Sequence, residues 1–140
     1  MNYNIELLMI DYIGGAFKKY IDFGDEIGKV RSAIDGDIEV GLATRDEGQE
    51  DIAMKLTIDA DIINEKEDKV ANMKTEYLFI FNIEERDIII KLKNGDVSED
   101  ELKELISHMI DIGYVNIKEH MENTFMRANL KVSLPIRINI

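Results

Sequence analysis

Residues 52–62 read IAMKLTIDADI, and this stretch decides the class of fold. Ile52, Met54, Leu56, Ile58, Ala60 and Ile62 fall on one side of an extended chain; Lys55, Thr57, Asp59 and Asp61 fall on the other. A period of two marks a strand with one face on a core and one in water. Residues 76–84, EYLFIFNIE, repeat the alternation with Tyr77, Phe79, Phe81 and Ile83 on one side. There Leu78 and Ile80 make the opposite side apolar too, which reads as a strand covered on both faces. Upstream, Ile38, Val40 and Leu42 mark another strand, and polar residues 44–51 with a central Gly form a hairpin connection longer than the tightest types. Tyr3 to Ile13 gives a further strand, bounded by Gly14 and Gly15, which permit a turn or a bulge. Phe17, Tyr20 and Phe23 with Ile21 continue it as a short strand or a turn of helix; the pattern leaves both open. Asp22 to Asp37, rich in glycine and acids, is assigned to a crossing loop.

After Arg86 the pattern changes. Asn94-Gly95-Asp96 is a turn signal, and Ser98 with Glu101 has the spacing of a capping box, so a helix starts there. Leu102, Leu105, Ile106, Met109 and Ile110 form its apolar stripe, and Gly113 marks a break. A second helix carries Tyr114, Ile117, Met121, Phe125 and Ala128 on one face and ends near Asn129. The tail from Lys131 holds the only proline, Pro135, and runs extended as a final strand. Strands followed by helices point to α+β: an antiparallel sheet with two C-terminal helices packed on one face. No repeat or linker splits the chain, and residues 1–140 are expected to form a single domain.

Composition narrows the function. At 45% hydrophobic and 33% charged the chain is too apolar for intrinsic disorder. The formal charge of −12, from 17 basic and 29 acidic residues, argues against nucleic acid, whose phosphates need a concentrated basic patch. Cysteine is absent, which removes disulfides, thiolate metal sites and thiol nucleophiles. No apolar run approaches the roughly 20 residues of a spanning helix, and MNYNIELLMIDYI has no basic leader region. A cytoplasmic protein that does not insert in membranes is expected.

The search for chemistry yields little. His108 and His120 lie twelve apart, not at the i, i+4 spacing of a zinc pair, and no strained Ser or Cys accompanies them. Asp35 with Asp37, and Asp59 with Asp61, are D-x-D pairs, but in a strand they are more simply the wet side. Gly14-Gly15 is followed by no phosphate-cradling motif. No catalytic residue, metal or cofactor is therefore assigned, and an enzyme is not expected. The rival reading is a small acidic ligand-binding protein or enzyme of unknown substrate; a third is a phage or accessory structural protein. What remains distinctive is an acidic shell around a flexible apolar inventory, including Met109, Met121 and Met126. Apolar residues on a second strand face also need cover, which another subunit can supply, so oligomerisation is expected.

The segments GDIEVGLAT, EDIAMKLTIDADI and KTEYLFIFNIEE, then two helical segments and the ending ANLKVSLPIRI, resemble in order the export chaperone SecB and its superfamily. Leu134-Pro135-Ile136 plays the part of that family's L-x-L-x-P-V/I ending. The aromatic-proline step that opens the family's long helix is represented by Tyr114-Val115-Asn116-Ile117, and an acidic tail after the last strand is absent. These departures mark a divergent member, of the kind of a toxin–antitoxin-linked chaperone or a SecB-like protein of Gram-positive bacteria. They bear on docking to a SecA-type partner more than on the fold. The resemblance implies an antiparallel sheet of about four strands with the helices on one face, assembly into a homodimer or homotetramer, and ATP-independent holding of unfolded polypeptide or of a dedicated protein partner. For client or subunit contact it points to Leu78, Ile80, Tyr114, Ile117, Met121 and Phe125, and to an acidic docking face of Asp59, Asp61 and Glu76.

Overall fold

The computed structural model describes residues 3–20, 28–45 and 48–138. The strands β1 (Ile5–Lys19), β2 (Val30–Thr44), β3 (Glu50–Asn64) and β4 (Lys69–Ile83) precede helices α1 (Arg86–Asn94) and α2 (Glu99–Arg127). They form one antiparallel sheet of order β1-β4-β3-β2, with the helices on one face. The strands with the strongest alternation, β3 and β4, take the centre. Their odd–even pattern puts Ile52, Met54, Leu56, Ile58 and Tyr77, Phe79, Phe81 against the helices, fully buried. The other face of the same strands is half-wet and carries Lys55, Thr57, Asp59 and Lys74.

Three strands extend beyond their expected bounds. β1 does not stop at Gly14-Gly15 but passes through a bulge between Tyr12 and Gly14, and Phe17 lies in the strand. Tyr20 adds one more ladder bond, its N–H donating to the Val70 carbonyl at 2.9 Å; Ile21 and Phe23 lie outside the described residues. The crossing loop is shorter than read, because residues 30–37 belong to β2, where Arg31, Asp35 and Asp37 face water on an edge strand. Residues 22–27 of that loop lie outside the described residues. β4 begins at Lys69 rather than Glu76, its alternation blurred by Asn72 and Lys74 on the wet side. The β3–β4 turn is tied by Asn64, whose Oδ1 accepts the N–H groups of Lys66 and Asp68.

Among the described residues there are two helices, divided at residues 95–98 and not at Gly113. α2 is continuous for 29 residues. Gly113 serves packing: a Cβ there would lie 3.1 Å from Cε1 and Cζ of Phe79, so the missing side chain lets the helix settle onto β4. Ser98 Oγ accepts the Glu101 N–H at 3.2 Å, as a cap should. The reciprocal half of the box is replaced, because the Glu101 carboxylate instead accepts the Tyr3 hydroxyl at 3.0 Å and pairs with Lys91. α1 buries only Ile88 and Ile89 and has no side-chain cap, which leaves it weakly written in the sequence. It ends at Gly95, in the left-handed region at φ 71°. The tail joins no ladder within the described residues. It lies extended along α2, where Tyr114 Oη donates to the Pro135 carbonyl at 2.7 Å and Leu134 N–H to Glu122 at 2.8 Å.

Candidate polypeptide-binding surfaces

The six apolar residues singled out from sequence sit on two sides of the sheet. Tyr114, Ile117, Met121 and Phe125 form the inner stripe of α2 and are buried against it. Leu78 and Ile80 face the opposite way, half-buried on the helix-free face, in register with Asp11 and Met9 of β1. A single copy therefore does not bring the six together. The acidic residues share that helix-free face but are partly neutralised. Asp59 and Asp61 both accept from the Asn72 amide, at 2.5 and 2.8 Å. Lys69 lies 3.3 Å from Asp61 and Lys55 3.9 Å from Glu76. Asp35, directly opposite Asp59, lines with it, Asp37, Thr57 and Lys74 a shallow depression of about 220 Å³.

The two histidines are not brought together. His108 and His120 are separated by about 18 Å of helix at 1.5 Å per residue. Among the described residues no group of three or more His, Cys, Asp or Glu could hold a metal ion. Burial pushes the Tyr77 phenol up to about 12; burial and the nearby Glu122 charge do the same for Tyr114. Both are neutral hydroxyls at physiological pH, suited to hydrogen bonding and not to proton abstraction. Tyr77 shares a 2.7 Å hydrogen bond with His120 Nδ1. No helix among the described residues is long and apolar enough to cross a membrane.

The surface that sequence reasoning missed is β1. It is an edge strand, and Leu8, Met9, Ile10, Tyr12 and Ile13 are all exposed, with Met9 at 46%, Tyr12 at 50% and Ile13 at 48%. Bulges at Leu7/Met9 and Tyr12/Gly14 turn the strand within this run, which spreads apolar side chains over both faces and the rim. The opposite edge, β2, is guarded by exposed Asp35, Asp37 and Glu39 and shows one large exposed apolar side chain, Leu42. The signal in the sequence was LLMIDYI itself, a near-continuous apolar run that reads as a doubly covered strand until its edge position is known.

No family model matches the sequence, and no curated protein matches it. Among solved structures, the fold is similar to a SecB-like chaperone of Mycobacterium tuberculosis determined with a ChAD peptide from the HigA1 antitoxin. The TM-score is 0.59 at 16% identity, covering 97% of this chain and 89% of that one. A Streptococcus agalactiae protein of unknown function aligns over 96% of this chain and 99% of its own, at 14% identity and a TM-score of 0.47. The chain thus has a divergent SecB-like α+β fold.

Proposed function

We propose that this chain is an ATP-independent polypeptide-binding protein of the SecB-like type, a cytoplasmic holdase for unfolded clients or for one dedicated partner, and not an enzyme. The observation that carries the reading is the exposed apolar run Leu8–Ile13 on an edge strand. Such an edge offers free backbone N–H and C=O groups for an added strand and pockets for its side chains. Leu78 and Ile80 widen the surface, since they sit beside Asp11 and Met9. Tyr114, Ile117, Met121 and Phe125 act from beneath, holding α2 in place, and come into contact with a subunit or client only where α2 shifts. Burial stabilises the complex by roughly 25 cal/mol per Å² of apolar surface before ordering costs. The net charge of −12 keeps a loaded complex soluble. The peptide held by the mycobacterial neighbour supports a polypeptide ligand.

The same edge serves assembly of residues 1–140, as one domain, into a homodimer or homotetramer. Asp59, Asp61 and Glu76 form the face for a basic partner, weakened by their lysine neighbours. Light scattering gives the test: a mass above one protomer, and suppression of aggregation of several denatured clients at stoichiometric amounts. Failure with every general client while one partner binds makes the protein a dedicated scaffold. A monomer that retains no polypeptide refutes the reading.

A further inference from the structure

Sulfur in this chain is confined to methionine. With no cysteine present, a peroxide meets thioethers and no thiolate. The methionines among the described residues fall into two groups. Met54, Met73, Met109 and Met121 belong to the buried core, whereas Met9 and Met126 are exposed, at 46% and 58%. A thioether has to be open to solvent for an oxidant to reach it, so oxidation in the folded protein is directed to these two. Their surroundings differ. Met126 lies near the C-terminal end of α2, beside Arg127, where an added oxygen stays in water. Met9 stands on the open edge, directly after the bulge between Leu7 and Met9, opposite Ile80 in the ladder and between exposed Leu8 and Ile10. Its side chain is part of the surface that a bound polypeptide has to dry. The carboxylate of Asp11, two residues on, accepts hydrogen bonds as a sulfoxide oxygen does and cannot partner one.

We propose that Met9 is a redox-sensitive modification site that switches the β1 edge: hydrogen peroxide converts its thioether to the sulfoxide, and the edge loses affinity for polypeptide. This rests on the polypeptide-binding reading and supplies its regulation. The sulfur lone pair attacks one peroxide oxygen, so that an S–O bond forms as the O–O bond breaks and sulfur gives up two electrons. The other oxygen leaves as hydroxide and becomes water by taking the proton of the transferred one. A thiol-dependent methionine sulfoxide reductase reverses the step: two thiols are oxidised to a disulfide and the oxygen departs as water. A flexible apolar side chain has then become a polar one, which must be dehydrated whenever a strand lies on the edge. A covered edge hides the sulfur. Loaded protein is therefore spared, and empty protein is switched off.

The test treats the whole protein with hydrogen peroxide, maps the added oxygen by mass spectrometry of its peptides, and measures retention of a denatured client by light scattering. Met9 and Met126 are expected to gain oxygen before Met54, Met73, Met109 and Met121, and bound client to protect Met9 but not Met126. The oxidised protein should hold client about tenfold more weakly, the order of one polar group dehydrated without a partner. Its far-UV circular dichroism stays unchanged, and reductase with thiol restores retention. Met9→Leu keeps retention and loses the peroxide response, Met126→Leu keeps both, and Met9→Gln is weak without peroxide. Oxygen entering the core methionines as early as Met9, an equal peroxide effect in Met9→Leu, or full retention by protein oxidised at Met9 overturns the proposal. Untreated protein that retains no client is a different result: the polypeptide-binding reading itself then fails, and the switch with it.

Discussion

Substituting Gly113 by alanine sets two opposing magnitudes against each other. In the middle of a 29-residue helix, glycine to alanine raises helix propensity by about 1 kcal/mol. The new Cβ, however, meets Phe79 at 3.1 Å from two ring carbons and 3.4 Å from a third. Carbon contacts are most favourable near 3.5–4.0 Å, so the ring or the helix must retreat by about half an ångström. Neither has an easy direction. Phe79 is fully buried, stacked on Phe81 at 6.0 Å and beside Tyr77 at 6.2 Å, and Tyr77 is held by His120. Overpacking of a methyl into such a core costs about 2 kcal/mol, which exceeds the propensity gain. Gly113→Ala is expected to lose about 1 kcal/mol in equilibrium urea unfolding, a drop of about 3–4 °C in Tm for a domain this size. Adding Phe79→Leu should recover part of the loss, giving a double-mutant coupling of about 1 kcal/mol. If Gly113→Ala is instead more stable by about 1 kcal/mol, the close seating of α2 on β4 is wrong.

Charging the edge with Met9→Lys and Ile13→Lys is expected to lower client retention and oligomer mass while changing unfolding free energy by less than about 0.5 kcal/mol per site, because both are exposed; equal loss of stability would make β1 core. Arg45→Ala strips the partner, 2.5 Å away, from the fully buried Asp51 and should cost about 3 kcal/mol in urea unfolding. Arg45→Ala with Asp51→Ala should recover much of that, and no recovery would show that packing alone was lost. Tyr77 and Tyr114 are neutral in the fold and pushed up from 10 to about 12, mainly by burial. The folded state therefore holds more protons than the unfolded one between these values: stability is full below pH 10 and falls as pH rises toward 12. In a variant with the exposed Tyr12 and Tyr20 replaced by Phe, tyrosinate absorbance at alkaline pH should appear together with loss of far-UV circular dichroism; ionisation without unfolding would contradict the burial.

Where one face of an element was buried and the other wet, its sequence was legible. β3 and the inner face of β4 were read directly from period two, and the inner stripe of α2 from its helical spacing. Edge strands were harder: Ile38, Val40 and Leu42 marked the end of β2, but residues 30–37, with Asp35, Gly36 and Asp37, read as loop until β3 supplies their ladder partner. Gly113 shows the limit of local rules: a glycine in a helical pattern marks a break or a close approach, and only the position of Phe79 distinguishes them. The tail alternates like a strand because Leu130, Val132 and Leu134 are buried, yet their cover comes from packing on the body of the protein and not from a ladder. Candidate site residues fared differently for a related reason. Periodicity identifies what is apolar, not which side of a sheet a second layer will occupy, so Leu78 and Phe125 were grouped although the sheet lies between them.

The two edges of the sheet argue together for a protein partner. A long edge with exposed apolar side chains is a template for pairing, and proteins that avoid pairing place charges, prolines or short strands there. β2 follows that pattern, with Asp35, Asp37 and Glu39 pointing outward. β1 is equally long, yet between Leu8 and Ile13 its only charge is Asp11. One chain thus defends one edge and leaves the other open. Overall charge does not explain the contrast, because −12 is available to both edges, yet the acids of β1 are Glu6 and Asp11 alone and only Asp11 lies within its apolar run. Stability of the single copy does not explain it either, since exposed Met9, Tyr12 and Ile13 bury only part of their surface within it. What the asymmetry does favour is burial of β1 by another polypeptide, whether a second copy or a client. Hydrogen exchange tells these apart: β1 amides protected at high protein concentration alone indicate a second copy, and amides protected only when client is added indicate the client.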